Sequence, residues 1–340
     1  SYCTLFIAPS KTDKPSTAAI KSKLENPQDE IKAEGMRELI TGLVQGEQHD
    51  RLLMPVIRYC VPAADKSVKK LVLLFLEVLG KCDSRGKLKE ELILVCNGLR
   101  NDLMSPNEFV RGAALKLIGK IREAKVVEPL IEAIVKNLTH RHSYVRRNAV
   151  VCIFSLIRHF GLDFVPNAIE QTDQLLLMEG DASTRRAAFL LLLHYDTKRA
   201  LLYIQQQQQQ QQQNAPEAAL VAMGEQMQLA VLELLRKVSS MKLQATPLLL
   251  RLVTSLLRVA PPAVAYEGAA CILLLSPNAQ RLRAAAAALL LLLLQQTENN
   301  IKLIVLDKLK ECAAAAAAAA AAANKQNPLG DFVVDLMRGT

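Results

Sequence analysis

Two stretches decide the fold: SPNEFVRGAALKLI, which begins at Ser105, and RHSYVRRNAVVCIF, which begins at Arg141. Each starts with a polar turn, continues with a Val and a basic residue, and ends in an aliphatic run. In the first stretch the apolar residues recur every three or four positions, which is the spacing of one buried helix face. The residues concerned are Val110, Ala113, Ala114, Leu117 and Ile118. Both stretches therefore predict a turn followed by an amphipathic helix.

The same pattern recurs along the chain, from Pro27, Ala64, Gly180 and Thr297, with weaker copies near Met227 and Ala265. The residue before the usual basic position recurs about every 39 residues, close to the ~40–47 residues of HEAT and armadillo repeats. These anchor residues are Ile31, Val68, Val110, Val145, Thr184, Met227, Ala265 and Ile301. One helix pair cannot bury its apolar face alone, so neighbouring pairs must stack. We predict an all-α, right-handed α-solenoid of HEAT/armadillo-like helix pairs, with about eight repeats.

Composition supports one solenoid over residues 1–340 rather than two globular domains. The chain is 51% hydrophobic but only 4% aromatic, with no Trp, which is atypical of a β-sandwich or an α/β enzyme. The net charge of +9 favours an acidic partner or an anionic surface. Seven scattered cysteines without a C-x-x-C pair indicate reduced thiols. The last repeat lacks a polar capping repeat, so we expect a fragment of a longer chain.

Three low-complexity tracts interrupt the repeats, at residues 205–213, 284–294 and 313–323. None is expected to lie in a turn and second helix of a repeat. The Gln tract at 205–213 is expected to lengthen a first helix or its loop, as a neutral insert rather than an interaction segment.

Motifs for catalysis are missing from the sequence. It contains no H-E-x-x-H, no phosphate-binding G-x-x-x-x-G-K-[ST], no G-x-G-x-x-G and no G-x-S-x-G. His140 and His142 lie in a predicted turn without further metal-ligating residues beside them, so a role in the turn is favoured over metal binding. We therefore predict a protein that is not an enzyme and has no cofactor or metal.

A basic residue follows most anchors and has two interpretations. It could form a stripe that binds phosphates, or a ladder that pairs each repeat with acidic or carbonyl groups of its neighbour. Recurrence at one position of the repeat favours the ladder. Its members are Lys32, Lys69, Arg111, Arg146, Arg185 and Lys302.

The predicted helix over residues 87–103 departs from simple packing. Its core stripe consists of Leu88, Leu92, Val95, Leu99 and Leu103. Ile93 and Leu94 lie about 100° and 200° from Leu92, so both are apolar residues outside that stripe. Either neighbouring helices bury both sides of this helix, or the extra apolar residues bind a partner.

Four segments carry a family resemblance: HRHSYVRRNAV (140–150), ILVCNGLRNDL (93–103), PNEFVRG (106–112) and NNIKLIVLDKL (299–309). They resemble the N-terminal trunk of the coatomer β family and, more distantly, the large chains of the clathrin adaptors. The resemblance runs along most of the chain and is strongest between about residues 55 and 160. The three tracts depart from the family pattern.

The resemblance implies a coat component, not an enzyme. In the family this trunk belongs to an adaptor-like core with δ, γ and ζ subunits. A GTP-loaded Arf-family GTPase recruits it from the cytoplasm to the anionic cytosolic face of Golgi membranes, for retrograde Golgi-to-ER and intra-Golgi transport. The residues implied to contact the GTPase are Ile93 and Cys96, with Asn97 and Arg100 beside them. The alternative is a HEAT-repeat scaffold for nuclear transport or nucleic-acid binding. The longest Lys/Arg run is two, which disfavours nucleic acid.

Overall fold

The computed structural model describes residues 16–47, 49–81, 89–211, 223–241, 253–257, 261–275 and 278–323. Within these ranges the chain forms helices and turns, without a strand. Packing divides the chain into two compact units, Ser1–Ala168 and Ile169–Thr340. An all-α architecture of repeated helix pairs is therefore confirmed, and a single continuous solenoid over 1–340 stays a prediction.

The first unit contains four successive helix pairs. Their bounds are α1 Thr17–Glu25, α2 Asp29–Val44, α3 Leu53–Pro55, α4 Lys66–Val78, α5 Leu92–Leu103, α6 Glu108–Ile118, α7 Ala124–Val127, α8 Ile131–Lys136 and α9 Ser143–Phe160. Short 3₁₀ turns at Asp50–Leu52, Glu128–Leu130, Asn137–Thr139 and Leu162–Phe164, and a π-helical turn at Val56–Cys60, complete the first helices or connect them. The second helices α2, α4, α6 and α9 pack each against the next.

The second unit repeats this arrangement with longer helices. Its elements are α10 Ala168–Met178, α11 Ala182–Tyr195, α12 Thr197–Gln211, α13 Glu225–Ser240, α14 Pro262–Leu275, α15 Ala279–Gln295 and α16 Asn299–Ala323, with a helical segment at 253–257. The second helices α11, α13, α14 and α16 again pack in sequence.

The anchor residues mark the starts of the second helices. Seven of the eight anchors lie at the third residue of a second helix, and Ala265 lies at the fourth residue of α14. Val68, Val145 and Thr184 are fully buried there. Because each helix start is fixed by its own turn, the repeat spacing read from the sequence gives the helix starts directly.

Side chains before these helices satisfy the free N–H groups of the first turn. The Asp65 carboxylate accepts bonds from Ser67 N (2.8 Å) and Val68 N (2.9 Å), and Asn107 Oδ1 accepts one from Phe109 N (2.9 Å). The main-chain N–H of Val68 holds the pKa of Asp65 below its ordinary value of 3.8. Asp65 and Asn107 are therefore the N-cap residues of α4 and α6.

The low-complexity tracts are helical where the structure describes them. Residues 205–211 continue the first helix α12, as expected for the Gln tract, whereas 212–213 lie outside the described residues. The tract at 284–294 lies in the first helix α15. The Ala tract at 313–323 extends the second helix α16, so its expected place outside the second helices is wrong. Ala is the strongest helix former, so an Ala run after a second helix prolongs that helix.

Candidate functional site: the outward face of α5

Helix α5 lies between the first helices that precede and follow it. On one side Gly98 meets Val61, so closely that a Cβ at residue 98 would overlap the Val61 side chain. On the other side α5 packs against α7, α8 and the turn between them. Leu99 and Leu103 are buried at 2% and 0% exposure. Leu88, the first member of the predicted stripe, lies outside the described residues.

The remaining face of α5 is exposed and carries large apolar residues. Ile93 is 50% exposed and Leu94 is 52% exposed. Asn97 and Arg100 are also exposed, and they follow Ile93 at intervals of four and three residues. At 100° per residue these three lie within about 60° of one another, so they form one stripe with Leu94 beside it. We call Ile93, Leu94, Asn97 and Arg100 the α5 face.

The flanking helices do not cover the α5 face. Neighbouring helices cover Gly98 and Cys96 on the sides of α5, but they leave Ile93 and Leu94 half-exposed. Two half-exposed aliphatic side chains add little to the free energy of folding compared with the buried leucines of the same helix. Such a surface is suited to bind an apolar patch of another protein, with Asn97 and Arg100 as polar contacts at its edge.

Cys96 does not belong to the α5 face, which corrects the predicted set of contact residues. Its side chain is only 7% exposed, and its thiol points to the Val126 carbonyl at 3.4 Å. Cys96 lies about 60° around the helix from Ile93, on the side where α7 packs. Burial raises the pKa of this thiol. Leu94 is not among the predicted contacts, but its half-exposed side chain lies on this surface.

The predicted ladder of basic residues is largely a set of clamps within each repeat. Arg111 Nε donates to Ser105 O (2.5 Å) and Nη2 to Met104 O (3.0 Å). Arg146 Nη1 donates to His140 O (2.7 Å) and Arg141 O (2.8 Å). In both cases an arginine at the start of a second helix bonds carbonyls of the turn that follows its own first helix.

The third arginine repeats this geometry in the second unit. Arg185 Nη2 donates to Glu179 O at 2.8 Å, just after α10 ends. Each of the three guanidinium groups thus reaches a carbonyl six residues before it. The carbonyls at a helix end have no partner within the helix and carry partial negative charge, so a cation there is favourable.

Contacts with the neighbouring repeat are made by two members of the ladder. Lys69 forms an ion pair with Asp102, and Arg111 Nη1 donates to Asn137 Oδ1 (3.0 Å). Lys32 forms an ion pair with Asp29 of its own helix, at 3.7 Å. For Lys302 the described part of the chain gives no side-chain partner. Lys69 and Arg111 thus contact the neighbouring repeat, whereas the clamp within the repeat, which the sequence spacing did not predict, is formed by Arg111, Arg146 and Arg185.

The turn histidines order the start of α9. His140 Nδ1 accepts from His142 N (3.1 Å), and His142 Nδ1 accepts from Tyr144 N (3.2 Å). Among the residues that the structure describes, no three His, Cys, Asp or Glu side chains are grouped to hold a metal ion. The described cysteines, Cys60, Cys96, Cys152, Cys271 and Cys312, are free and buried, whereas Cys3 and Cys82 lie outside the described residues. Burial raises the pKa of Cys60 to about 11 and that of Cys152 to about 12.

Comparison with known proteins supports the sequence resemblance. Residues 10–320 match the model of the adaptin N-terminal region. The chain is 52% identical over 282 residues to a protein of Toxoplasma gondii named coatomer subunit beta, which covers 83% of this chain and 26% of that protein. It is 38% identical to the coatomer subunit beta of Dictyostelium discoideum and 37% identical to that of Rattus norvegicus, over 82% and 83% of this chain. It spans 30% and 28% of those two proteins.

A solved structure shares the fold at low sequence identity. It is a chain from a homology model of the full-length AP-3 complex in an intermediate open conformation. The TM-score is 0.57 at 14% identity, covering 88% of this chain and 52% of that chain. Among the described helices, none is both long and apolar enough to cross a membrane.

Proposed function

This chain belongs to the family of adaptin N-terminal regions, and from that premise we propose that it is the trunk of a coat subunit of the coatomer β type. The observation that carries this proposal is the 52% identity to a coatomer subunit beta along 83% of the chain. The chain spans only about a quarter of the relatives that it matches, so the coat function belongs to a protein of which the chain is the helical scaffold part.

The proposed assembly is an adaptor-like core in which this trunk joins δ, γ and ζ coat subunits. The proposed place of action is the cytosolic face of Golgi membranes, where the coat forms vesicles for retrograde Golgi-to-ER and intra-Golgi transport. The repeated helix pairs of each unit support a scaffold role, because stacked repeats offer long surfaces to partners. The net charge of +9 is compatible with an anionic membrane surface and with acidic partners.

Recruitment is proposed to occur through the α5 face, which would bind an Arf-family GTPase in its GTP form. The half-exposed Ile93 and Leu94 support this assignment, because packing within the first unit does not require them to be apolar. GTP orders the switch loops of such GTPases, and the ordered loops can present an apolar surface that the GDP form lacks. Differential affinity for the GTP form would then couple membrane recruitment to the nucleotide state.

Charge substitution on the α5 face tests this proposal. The tagged protein with Ile93→Asp or Leu94→Asp is purified from cells with its bound subunits and assayed against GTP- and GDP-loaded Arf-family GTPase. A central apolar contact contributes about 2 kcal/mol, so we expect GTP-dependent binding to fall about 30-fold. Val151→Asp on α9 is the matched control, since Val151 is also aliphatic and is 49% exposed.

Two results would count against the proposal. If Ile93→Asp and Leu94→Asp bind the GTP form as tightly as Val151→Asp does, the α5 face is not the contact. If the purified chain brings down no coat subunits and instead binds RNA or DNA with steep salt dependence, the alternative of a nucleic-acid scaffold is favoured.

A further inference from the structure

An exposed aromatic surface lies at the starts of two neighbouring second helices, α6 and α9. Phe109 is 67% exposed at the second residue of α6. Tyr144 is half-buried at the second residue of α9, and its ring centroid lies 5.7 Å from that of Phe109. The Phe109 ring does not fill the core, which is made of aliphatic residues at this level. Phe109 and Tyr144 together form an aromatic pair at the surface, and aromatic residues are enriched where proteins bind one another.

The Tyr144 ring is held in one position. It lies on Gly112 so closely that a Cβ at residue 112 would overlap the ring. Its hydroxyl accepts a hydrogen bond from Lys116 Nζ at 3.3 Å. Contacts at the ring face and at the hydroxyl therefore fix the orientation, and binding to this ring would not require ordering a mobile side chain.

Two cations lie beside this ring. Lys116 Nζ is 5.3 Å from the Tyr144 centroid, and Arg147 Cζ is 5.7 Å from it. Lys116 is exposed and forms no ion pair with an acidic side chain among the described residues. Lys120, two residues after the end of α6, is paired with Glu77 at 2.5 Å. We call Phe109, Lys116, Tyr144 and Arg147 the Tyr144 patch.

The Tyr144 patch has an apolar end and a cationic end. Phe109 and Lys116 are seven residues apart on one helix, which is about 10 Å along its axis. Side chains two positions apart in an extended peptide point to the same side and are about 7 Å apart. The long, flexible side chain of Lys116 can make up the difference between these two distances. A peptide with an apolar residue and a carboxylate two positions apart can therefore contact both ends of the patch.

We propose that the Tyr144 patch binds a short acidic peptide segment of a partner protein, with an apolar side chain on Phe109 and Tyr144 and a carboxylate between Lys116 and Arg147. A membrane surface fits less well, because the apolar end of the patch also carries a carboxylate. Beside Phe109 lies Glu108, whose main-chain hydrogen bond and basic neighbours His142 and Arg141 lower its pKa and keep it negative. An extended polyanion would meet this carboxylate at the apolar end.

Binding is tested with labelled peptides and the protein purified with its natural subunits. The probe is a repeat of Leu-Ser-Glu-Ser, in which Leu and Glu lie on the same side of an extended chain. One control peptide replaces Glu by Lys, and another replaces Leu by Ser. We expect the probe to bind the unmodified protein, and Lys116→Glu to lower its affinity about fivefold. The control peptide with Lys in place of Glu should bind the Lys116→Glu variant more tightly than it binds the unmodified protein. Phe109→Ser should weaken the probe as well.

Lys120→Glu is the control, because it makes the same change of net charge only four residues further along the chain. Equal weakening by Lys120→Glu and Lys116→Glu would overturn the proposal, since the long-range field alone would then explain binding. The proposal would also be overturned if the peptide without Leu bound as tightly as the probe. A further contrary result would be that Lys116→Glu weakens binding to anionic vesicles but not binding of the probe. Binding of GTP-loaded GTPase is measured in parallel and should not change with Lys116→Glu, so the two proposals can fail independently.

Discussion

The α5 face and the turn before α6 both lie on the surface of the first unit, yet they use their side chains in opposite ways. At the turn, the charged Arg111 is tied to Ser105 O, Met104 O and Asn137 Oδ1. On the α5 face, the apolar Ile93 and Leu94 are half in water. The charged group therefore serves folding, whereas the apolar groups stay half-exposed and form the contact that we propose for a partner. From polarity alone, one would assign the charged residue to partner binding and the apolar residues to folding.

Truncation of one buried and one exposed side chain of α5 should give the largest difference in the free energy of unfolding. Leu103→Ala removes a fully buried side chain, so we expect the free energy of unfolding to fall by about 2–5 kcal/mol. Ile93→Ala removes a half-exposed side chain, and we expect a loss below about 1 kcal/mol. Urea unfolding of the purified variants measures both. Equal losses would show that Ile93 is a packing residue and would remove the contrast between the two faces.

Removal of the clamp should have an intermediate effect. Arg111→Ala deletes three hydrogen bonds from a charged donor, one of them to the neighbouring repeat, so we expect a loss of about 1–3 kcal/mol. Arg100→Ala on the α5 face is the control and should change stability by less than about 0.5 kcal/mol. The same urea experiment applies. A loss for Arg111→Ala no larger than that for Arg100→Ala would mean that the clamp adds nothing to stability.

Chemical labelling of cysteines should locate the boundary between the buried and the exposed sides of α5, and it has the smallest expected effect. Native Cys96 is buried and burial raises its pKa, so its thiolate is scarce and shielded. In the variant Ile93→Cys the new thiol would be exposed. We expect alkylation at residue 93 to be at least about tenfold faster than at Cys96, read residue by residue by mass spectrometry. Similar alkylation rates at the two positions would show that Cys96 is exposed.

The resemblance to known coat subunits and the α5 face contribute different parts of the functional proposal. Similarity over most of the chain supports the class of protein, whereas the exposed Ile93 and Leu94 support a particular surface. One member of the predicted contact set, Ile93, could be judged from helix rotation alone, because it lies off the core stripe. Cys96 could not, because the residue that covers it, Val126, is thirty positions away in the chain.

The sequence by itself determined the repeat, the helix starts and their caps. These depend on local chemistry: an Asp or Asn before a helix, a Val at its third residue, and apolar residues at helix spacing. The tertiary structure decided which side of α5 is covered, where the arginines donate, and that Phe109 and Tyr144 come together with Lys116 and Arg147. Those outcomes depend on residues that are distant in the chain but adjacent in the stack, and a helical period specifies the direction of a side chain but not what lies in that direction.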